Sequence, residues 1–594
     1  MLNNRLVIGL DYGTTYTGVS YCETSDTGVL DKDIAVVKDW PSRHTKIGTK
    51  EKVPSEIAYL KDGIEWGSLI ATNVQRHMWT KLELDQINLP NSTGEAAKIL
   101  QELSLSGNGP PMCPVDIISD YLNEVRKHLL TNLDNRYGPQ LWRTLPITLI
   151  VTVPAVWSDA AKDRTLQAVR KAGFSTATFP SLKRTITTTE PEAAAIYTIQ
   201  SLRGSVSDEQ FGIGDGFIVC DMGGGTVDLI SYRVAELEPT VLEEATVGGG
   251  DQCGGTFVDR AFLRWLERRL GSVDFLKIAG ARSEDLPRTS LAPKLGRMVQ
   301  DFVLEAKSGF SDNETNFLRL PVPLSAIEDD EARGICDGEI EITPNDMKEM
   351  FEFPLRRTYE LLLEQMQEAR RSGKVELKYV FMVGGFAESP YIYEKVKIFA
   401  AANGLQAIRP PNAWSAIVRG AAAKGLEGDG RPPIKNRKCR RNYGTGCSRP
   451  FVQGQHREVD SYIHEYTGVK YASNQASWLV TKGQDLSTAA DVNYKVHLNQ
   501  NFWPEEPRVA FFELFACDAS KAPSRSNANG IYNIANLRVD LSNVPQHEFV
   551  ARHSPSGRVY YCLTFDVQIS IQSALEFSVV VNGTPRGTVT AKYN

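Results

Sequence analysis

Apolar and polar positions fall into blocks along the chain, and one block layout occurs twice. In "LVIGLDYGTTYTGVSY", residues 6–21, an apolar run ends in an aspartate, a spacer, a glycine and threonines, and a second apolar run follows. "FIVCDMGGGTVDLISY", residues 217–232, has the same layout. Short runs rich in Val, Ile and Tyr around glycine predict paired strands joined by a turn. Between the copies Ile117, Tyr121, Val125 and Leu129 recur at helical spacing, which predicts an amphipathic helix. "ITLIVTVPAVW" (147–157) predicts a buried strand, followed by a helix capped at Ser158-Asp159 and stopped at Gly173. A strand-like run then leads into Glu190-Pro191 and an Ala-rich helix. Residues 251–371 read as mostly helical, and "YVFMVGGFAESPYI" (379–392) as strand, Gly-Gly turn and helix start. Strands alternating with helices predict an α/β architecture.

The pattern changes near residue 425. "GLEGDGRPPIKNRKCRRNYGTG" is rich in Gly, Pro and basic residues, as linkers are. Beyond it, "LRVDLSNV" alternates, and "CLTFDVQISIQ" sets Leu563, Phe565, Val567, Ile569 and Ile571 on one face against Thr564, Asp566, Gln568, Ser570 and Gln572. This predicts a half-buried sheet, with Asn582-Gly583 as a hairpin turn. The expected organisation is an α/β body over 1–425, a linker over 426–440 and a β-rich domain over 441–594.

Length agrees with more than one core: 594 residues, at about 150 per domain, allow roughly four units. A net charge of -6 argues against a general nucleic-acid binder, which needs a basic surface. Nine cysteines without a C-x-x-C pair suggest a reducing compartment, with no disulfide framework or zinc cluster. No apolar run approaches the ~18 residues that span a bilayer, and no secretory signal is visible. No membrane association and a cytoplasmic or nuclear location are therefore expected. The eight histidines show no metal-ligand spacing.

The repeated device carries the chemistry. A glycine-rich turn exposes backbone N–H groups to an approaching anion, and threonine hydroxyls add donors. An aspartate beside such a turn repels phosphate unless a cation lies between them. Asp11 and Asp221 therefore suggest Mg²⁺, which takes oxygen ligands and keeps several waters. Two such turns facing each other would clamp a polyphosphate, with Gly384-Gly385 as a third glycine turn after a strand. The spacing is not that of a P-loop.

"GLDYGTTYTGVSY", "VTVPAVWSDAAKDRT", "TEPEAAAIY", "DMGGGTVDLISY", "GGDQCGGTFVDRAF" and "VFMVGGFAESP" occur in the order found in heat-shock protein 70 chaperones. Over residues 5–425 the chain resembles that family, a branch of the actin, hexokinase and heat-shock ATPase superfamily. The resemblance implies a two-lobed, actin-like ATPase fold of ribonuclease H-like repeats, with ATP or ADP and Mg²⁺ in the central cleft. It implies Gly13, Thr14, Thr15 and Tyr16 on one side of the phosphates and Gly223, Gly224, Gly225 and Thr226 on the other. Asp11 and Asp221 would hold Mg²⁺, largely through water, with Glu190 nearby, and Asp228 would orient the attacking water. Gly254 and Gly255 would contact nucleotide, and Gly384 and Gly385 would approach ribose and phosphates. Pro154 and Lys162 match positions that relay nucleotide state, and Lys81 is the candidate for the catalytic lysine.

The chain also departs from that pattern. In "LEAKSGFS", Lys307 and Ser311 keep the adenine-facing identities, whereas Leu304, Ser308 and Glu388 stand where the family has a glutamate and two arginines. Lost guanidinium stacking is worth roughly 0.5 to 2 kcal/mol each, so adenine affinity and selectivity are expected to be altered. The C-terminal segment loosely resembles the family's peptide-binding β-sandwich, with no helical lid expected. The acidic, leucine-rich linker is replaced by "GDGRPPIKNRKCRR". Its basic run Lys435, Arg437, Lys438, Arg440 and Arg441 reads as a solvated linker, a nuclear-import signal or an anion-binding patch. The expected function is that of an ATP-binding, slowly hydrolysing chaperone-like protein that takes nucleotide and extended polypeptide, with co-chaperones left open. The alternatives are a non-hydrolysing, nucleotide-gated scaffold and a small-molecule kinase of the same superfamily.

Overall fold

The first apolar block forms β1 (Leu6–Tyr12), and the chain returns through Gly13–Thr15 as antiparallel β2 (Tyr16–Glu23), with Gly18 opposite Asp11. A side chain at Gly13 would meet the Tyr16 carbonyl oxygen at 2.2 Å, so only glycine closes this turn. The computed structural model describes residues 4–24, 34–43, 50–85, 98, 113–202, 211–237, 240–426, 434–487, 494–571, 575–586 and 588–593. They fall into two units, Met1–Pro433 and Ile434–Asn594.

In the first unit β3 (Ala35–Val36) and β4 (Val53–Pro54) pair with β2, while β5 (Ile147–Val153) lies parallel to β1 and β6 (Leu182–Thr189) parallel to β5. The order is β3-β2-β1-β5-β6. A second sheet repeats it. There β7 (Gly216–Met222) and β8 (Val227–Glu236) form the hairpin, β9 (Val241–Glu244) flanks β8, and β10 (Leu377–Val383) and β11 (Gln406–Ile408) extend the sheet in parallel from β7. Asp11 and Asp221 are each the penultimate residue of their hairpin's first strand.

Every residue of β1 and β5 is buried, as strands covered on both faces require. The helix α1 (Pro114–Tyr137) buries Ile117, Tyr121, Val125 and Leu129, the residues whose spacing announced it, against Leu6, Ile8, Leu10, Leu149 and Val151. Ser158 caps α2 (Asp159–Lys171) by accepting from the Ala161 N–H at 3.2 Å, and Gly173 follows the helix with φ 89°. The Ala-rich helix α3 (Glu190–Leu202) begins directly after β6. Its buried face and that of α4 (Ala416–Leu426) place Ile196 and Ala421–Ala423 in one cluster with Val7 and Ile150. The second sheet packs Ile218, Cys220, Met222, Val380 and Met382 against Phe262 and Leu266 of α5 (Thr256–Leu270).

The stretch over 251–371 is mostly helical as expected, with a small sheet that the sequence did not announce. The segment holds α5, further helices at Ser272–Ala279 and Pro293–Asp301 and the long helix Pro344–Ser372, but also a three-stranded sheet of Asn316–Arg319, Ile335–Cys336 and Glu339–Ile342. Strands of two to four residues are too short to show a period of two in the sequence.

The second unit has no α-helix among its described residues. It begins with β12 (Ile434–Lys438), paired antiparallel with residues 485–487, so part of the expected linker is strand, whereas 427–433 lie outside the described residues. Two antiparallel sheets follow. Leu514, Leu537 and Val539 of one and Leu563, Phe565, Val567, Val579 and Val581 of the other share one apolar cluster. The alternation in "CLTFDVQISIQ" thus marks a buried face, although the side chains of Ile569 and Ile571 lie outside the described residues. Asn582 and Gly583 both adopt positive φ, 48° and 78°, as a two-residue hairpin turn requires. No helix among the described residues is long and apolar enough to cross a membrane.

Candidate functional site

The two glycine turns meet. A Cβ on Gly224 would lie 2.6 Å from Thr15 Oγ1, and one on Gly225 would lie 3.2 Å from Thr14 Cγ2. Each turn is therefore the wall against which the other closes, and a cleft of about 390 Å³ opens beside them. The 223–226 turn is held from behind by the start of α5: Gly255 N–H donates to Gly223 O at 3.1 Å, and Thr256 gives its N–H (2.8 Å) and its hydroxyl (2.9 Å) to Gly224 O. Among the described residues the Gly224 and Gly225 N–H groups have no protein acceptor, so both can donate to an anion.

Three lysines and six carboxylates line the same cleft, Lys307, Asp259 and Glu388 among them. Asp11 is buried and accepts from Lys52 Nζ at 2.7 Å and from Thr152 Oγ1 at 2.8 Å. Burial would raise its pKa, but the Lys52 and Lys81 charges outweigh it and hold the carboxyl below its usual value. Lys81 sits on a four-residue helix, Thr80–Glu83, whose first residue is tied to β1 by the 2.7 Å hydrogen bond between Thr80 Oγ1 and Tyr12 OH. Its ammonium pairs with Glu190, the first residue of α3, and both side chains are buried. Burial works against the Lys81 charge, but Glu190 and Asp11 outweigh it and raise its pKa. Burial, opposed by Lys81, pushes Glu190 up to about 7. Asp221 and Asp228 face each other across the β7–β8 hairpin. Burial, then Glu190 and Asp228, pushes Asp221 up to about 8, and burial likewise raises Asp228.

Six carboxylates against three ammonium groups leave the cleft short of positive charge, and every candidate donor is an oxygen. No three of the cleft's carboxylates bring oxygens within 4.8 Å of one another among the described residues, so they do not form an all-protein cage. This donor set fits Mg²⁺ held largely through water.

Gly384, with φ 91°, lies so close to β7 that a Cβ would meet Asp221 Oδ1 at 2.6 Å. Gly385 would place one 3.0 Å from the indole of Trp414, which stacks edge-on with Tyr16 at 5.6 Å. Thus Asp11, Gly13–Tyr16, Lys81, Glu190, Asp221, Gly223–Thr226, Asp228, Gly255, Lys307, Gly384 and Gly385 all line the cleft. Gly254 and Ser311 do not. Gly254 is packed beneath the turn, where a Cβ would meet the Gly223 and Gly224 carbonyls at 2.5 Å.

Ser311 lies past the helix expected to carry it. The helix Pro293–Asp301 continues as a π-helical turn, Phe302–Lys307, and helical structure stops at Gly309. Val303, Leu304, Lys307 and Ser308 therefore face the cleft, whereas the Ser311 hydroxyl donates to Glu314 on the surface. Lys307 donates at 2.6 Å to both Gly255 O and Asp259 Oδ1, so its charge anchors the start of α5. Pro154 and Lys162 do not line the cleft. The sequence reading passed over Lys52, Thr256, Asp259, Trp414 and Ile417. Of these, Thr256 and Asp259 lie in "GGDQCGGTFVDRAF", Trp414 lies just before α4 and Ile417 within it, and Lys52 stands alone before Val53-Pro54 with no local signal.

The Hsp70 protein family profile matches residues 7–431. Among curated proteins, the chain is 23% identical to human heat shock 70 kDa protein 12A, over 90% of this chain and 85% of that protein, and 21% identical to human heat shock 70 kDa protein 12B, over 87% and 81%. It is 24% identical to the chaperone protein DnaK of Mycoplasma mobile, over 70% of this chain and 58% of DnaK. Coverage of 90% and 87% means that the similarity to the two human proteins reaches into the second unit, whereas the DnaK match covers a smaller share of both chains.

Proposed function

The chain belongs to the heat-shock protein 70 family, and from that premise we propose that its first unit binds ATP and ADP with Mg²⁺ and hydrolyses ATP slowly, nucleotide state governing the capture of extended polypeptide by the second. The observation that carries the reading is the convergence of both glycine turns, six carboxylates and three lysines on one cleft. Phosphoryl transfer asks a protein mainly for positioning and for charge placed where the phosphates develop it.

Gly224 and Gly225 N–H groups, with Thr14 and Thr15 hydroxyls, seat the phosphates. Lys81 offsets their charge from within its pair with Glu190. Asp228 accepts a hydrogen bond from the attacking water and orients it. Asp11 and Asp221 hold Mg²⁺ through water, and when bound the ion neutralises phosphate charge. Val303, Leu304 and Ser308 form an apolar, uncharged wall for the base in place of the family's cationic one.

The second unit's sequence loosely resembles the family's peptide-binding β-sandwich, and we propose that it takes that role. Its short edge strand Ser461–Ile463, with Tyr462 and Ile463 exposed, offers an open row of backbone groups to an extended chain. Nine free cysteines fit a cytosolic or nuclear setting.

Single-turnover conversion of labelled ATP, with protein in excess, tests the reading. The wild type is expected to convert bound ATP to ADP, and Asp221→Asn to bind without converting it. Equal conversion by Asp221→Asn removes the site assignment. A second reading, a nucleotide-gated scaffold without turnover, draws on the altered base wall at Leu304, Ser308 and Glu388. It is favoured if ATP stays intact on the wild type while altering polypeptide binding.

A further inference from the structure

Asp11 already has a cation. Lys52 precedes β4, whose Val53 pairs with Thr17 of β2, so the lysine enters beside Gly18. Gly18 lies opposite Asp11 in the β1–β2 register. A Cβ on Gly18 would sit 3.3 Å from Lys52 Cγ and 3.4 Å from Cε, so the stem crosses β2 over the one position without a side chain. Nζ ends 2.7 Å from Asp11 Oδ2, in a residue only 6% exposed. The other Asp11 oxygen accepts from Thr152, and the cleft's other two ammonium groups, Lys81 and Lys307, pair with Glu190 and Asp259. Lys52 lines the cleft, and two of its three N–H donors have no protein acceptor among the described residues.

We propose that Lys52 is a built-in cation of the phosphate cleft, which neutralises Asp11 and donates to nucleotide phosphate, so that this chain holds nucleotide with little dependence on Mg²⁺. The inference rests on the cleft being the nucleotide site proposed above. A lysine at hydrogen-bond distance from Asp11 removes the repulsion that a bare carboxylate presents to phosphate, which is part of what a divalent ion supplies. Mg²⁺, which Asp11 and Asp221 would hold through water, then adds to a neutralisation that Lys52 has already begun.

Calorimetric titration of the full chain with ATP and ADP, in Mg²⁺ and in EDTA, separates the cases. The wild type is expected to lose no more than about tenfold in affinity when Mg²⁺ is removed, and Lys52→Met about tenfold more than that. Lys52→Arg, which keeps a cation, should follow the wild type. A purely structural role for Lys52 would weaken binding by one factor in both buffers, so equal Mg²⁺ dependence in wild type and Lys52→Met overturns the proposal. If Lys52→Met does not fold, the wild type decides alone, since a loss of about a hundredfold or more in EDTA also overturns it. Failure of the wild type to bind nucleotide in either buffer rejects the nucleotide site itself, and this inference falls with it.

Discussion

Gly224 shows most plainly what single residues do here. Its missing side chain lets Thr15 of the opposite turn approach to contact, and Thr15 is β-branched and cannot swing aside freely. Gly224→Val is expected to prise the turns apart and weaken nucleotide binding by about tenfold or more, the expected scale of an overpacking of 1–3 kcal/mol, with far-UV circular dichroism unchanged. Glu83 gives a pH-dependent test. Burial pushes it from 4.5 up to about 7, so the folded chain holds a proton that the unfolded chain releases. The stability this proton confers is full below pH 4.5 and lost as pH rises through about 7. Glu83→Gln should match the wild type at pH 4 and be more stable at pH 8 by up to about 3 kcal/mol, measured by denaturant titration. Glycines of this kind were legible in the sequence because a turn's demand is local. Lys52 was not, because its reach to Asp11 depends on Gly18 and on a pairing between β2 and β4 that no local spacing announces.

Among the elements, periodicity served where an element is long or repeated. The helix α1 and both hairpins follow directly from it, and Ser158 and Gly173 bound α2 as capping chemistry requires. Sequence cues misled where geometry departs from regularity. Ser311 was assigned by matching "LEAKSGFS" to the family's adenine-facing helix, and here a π-helical turn over Phe302–Lys307 and a helix end at Gly309 leave it outside the cleft. The basic run likewise read as a linker, yet Lys438 and Arg441 are each only 8% exposed, and Lys438 pairs with Asp485 at 2.5 Å. Lys438→Ala is therefore expected to destabilise the second unit by about 1 kcal/mol, seen as a lower denaturation midpoint, where a solvated linker residue would change nothing. Limited trypsin digestion of the native protein should be slow across 434–441 for the same reason.

At the scale of the molecule, one strand order appears twice in the first unit, and each copy delivers an aspartate and a glycine turn to the same cleft. The duplication was visible as two matching apolar layouts, but their convergence was not, since sequence shows which turns exist and tertiary packing decides that they face each other. The second unit's alternation announced its strands without announcing their sheet order. The central claim is that the converged turns form a nucleotide site. Its most direct test is calorimetric titration of the full chain with ATP in Mg²⁺, run beside Gly224→Val. One ATP bound per chain, with affinity reduced in the variant, is the result expected. Absence of binding up to about millimolar ATP, or binding that Gly224→Val leaves untouched, would contradict it.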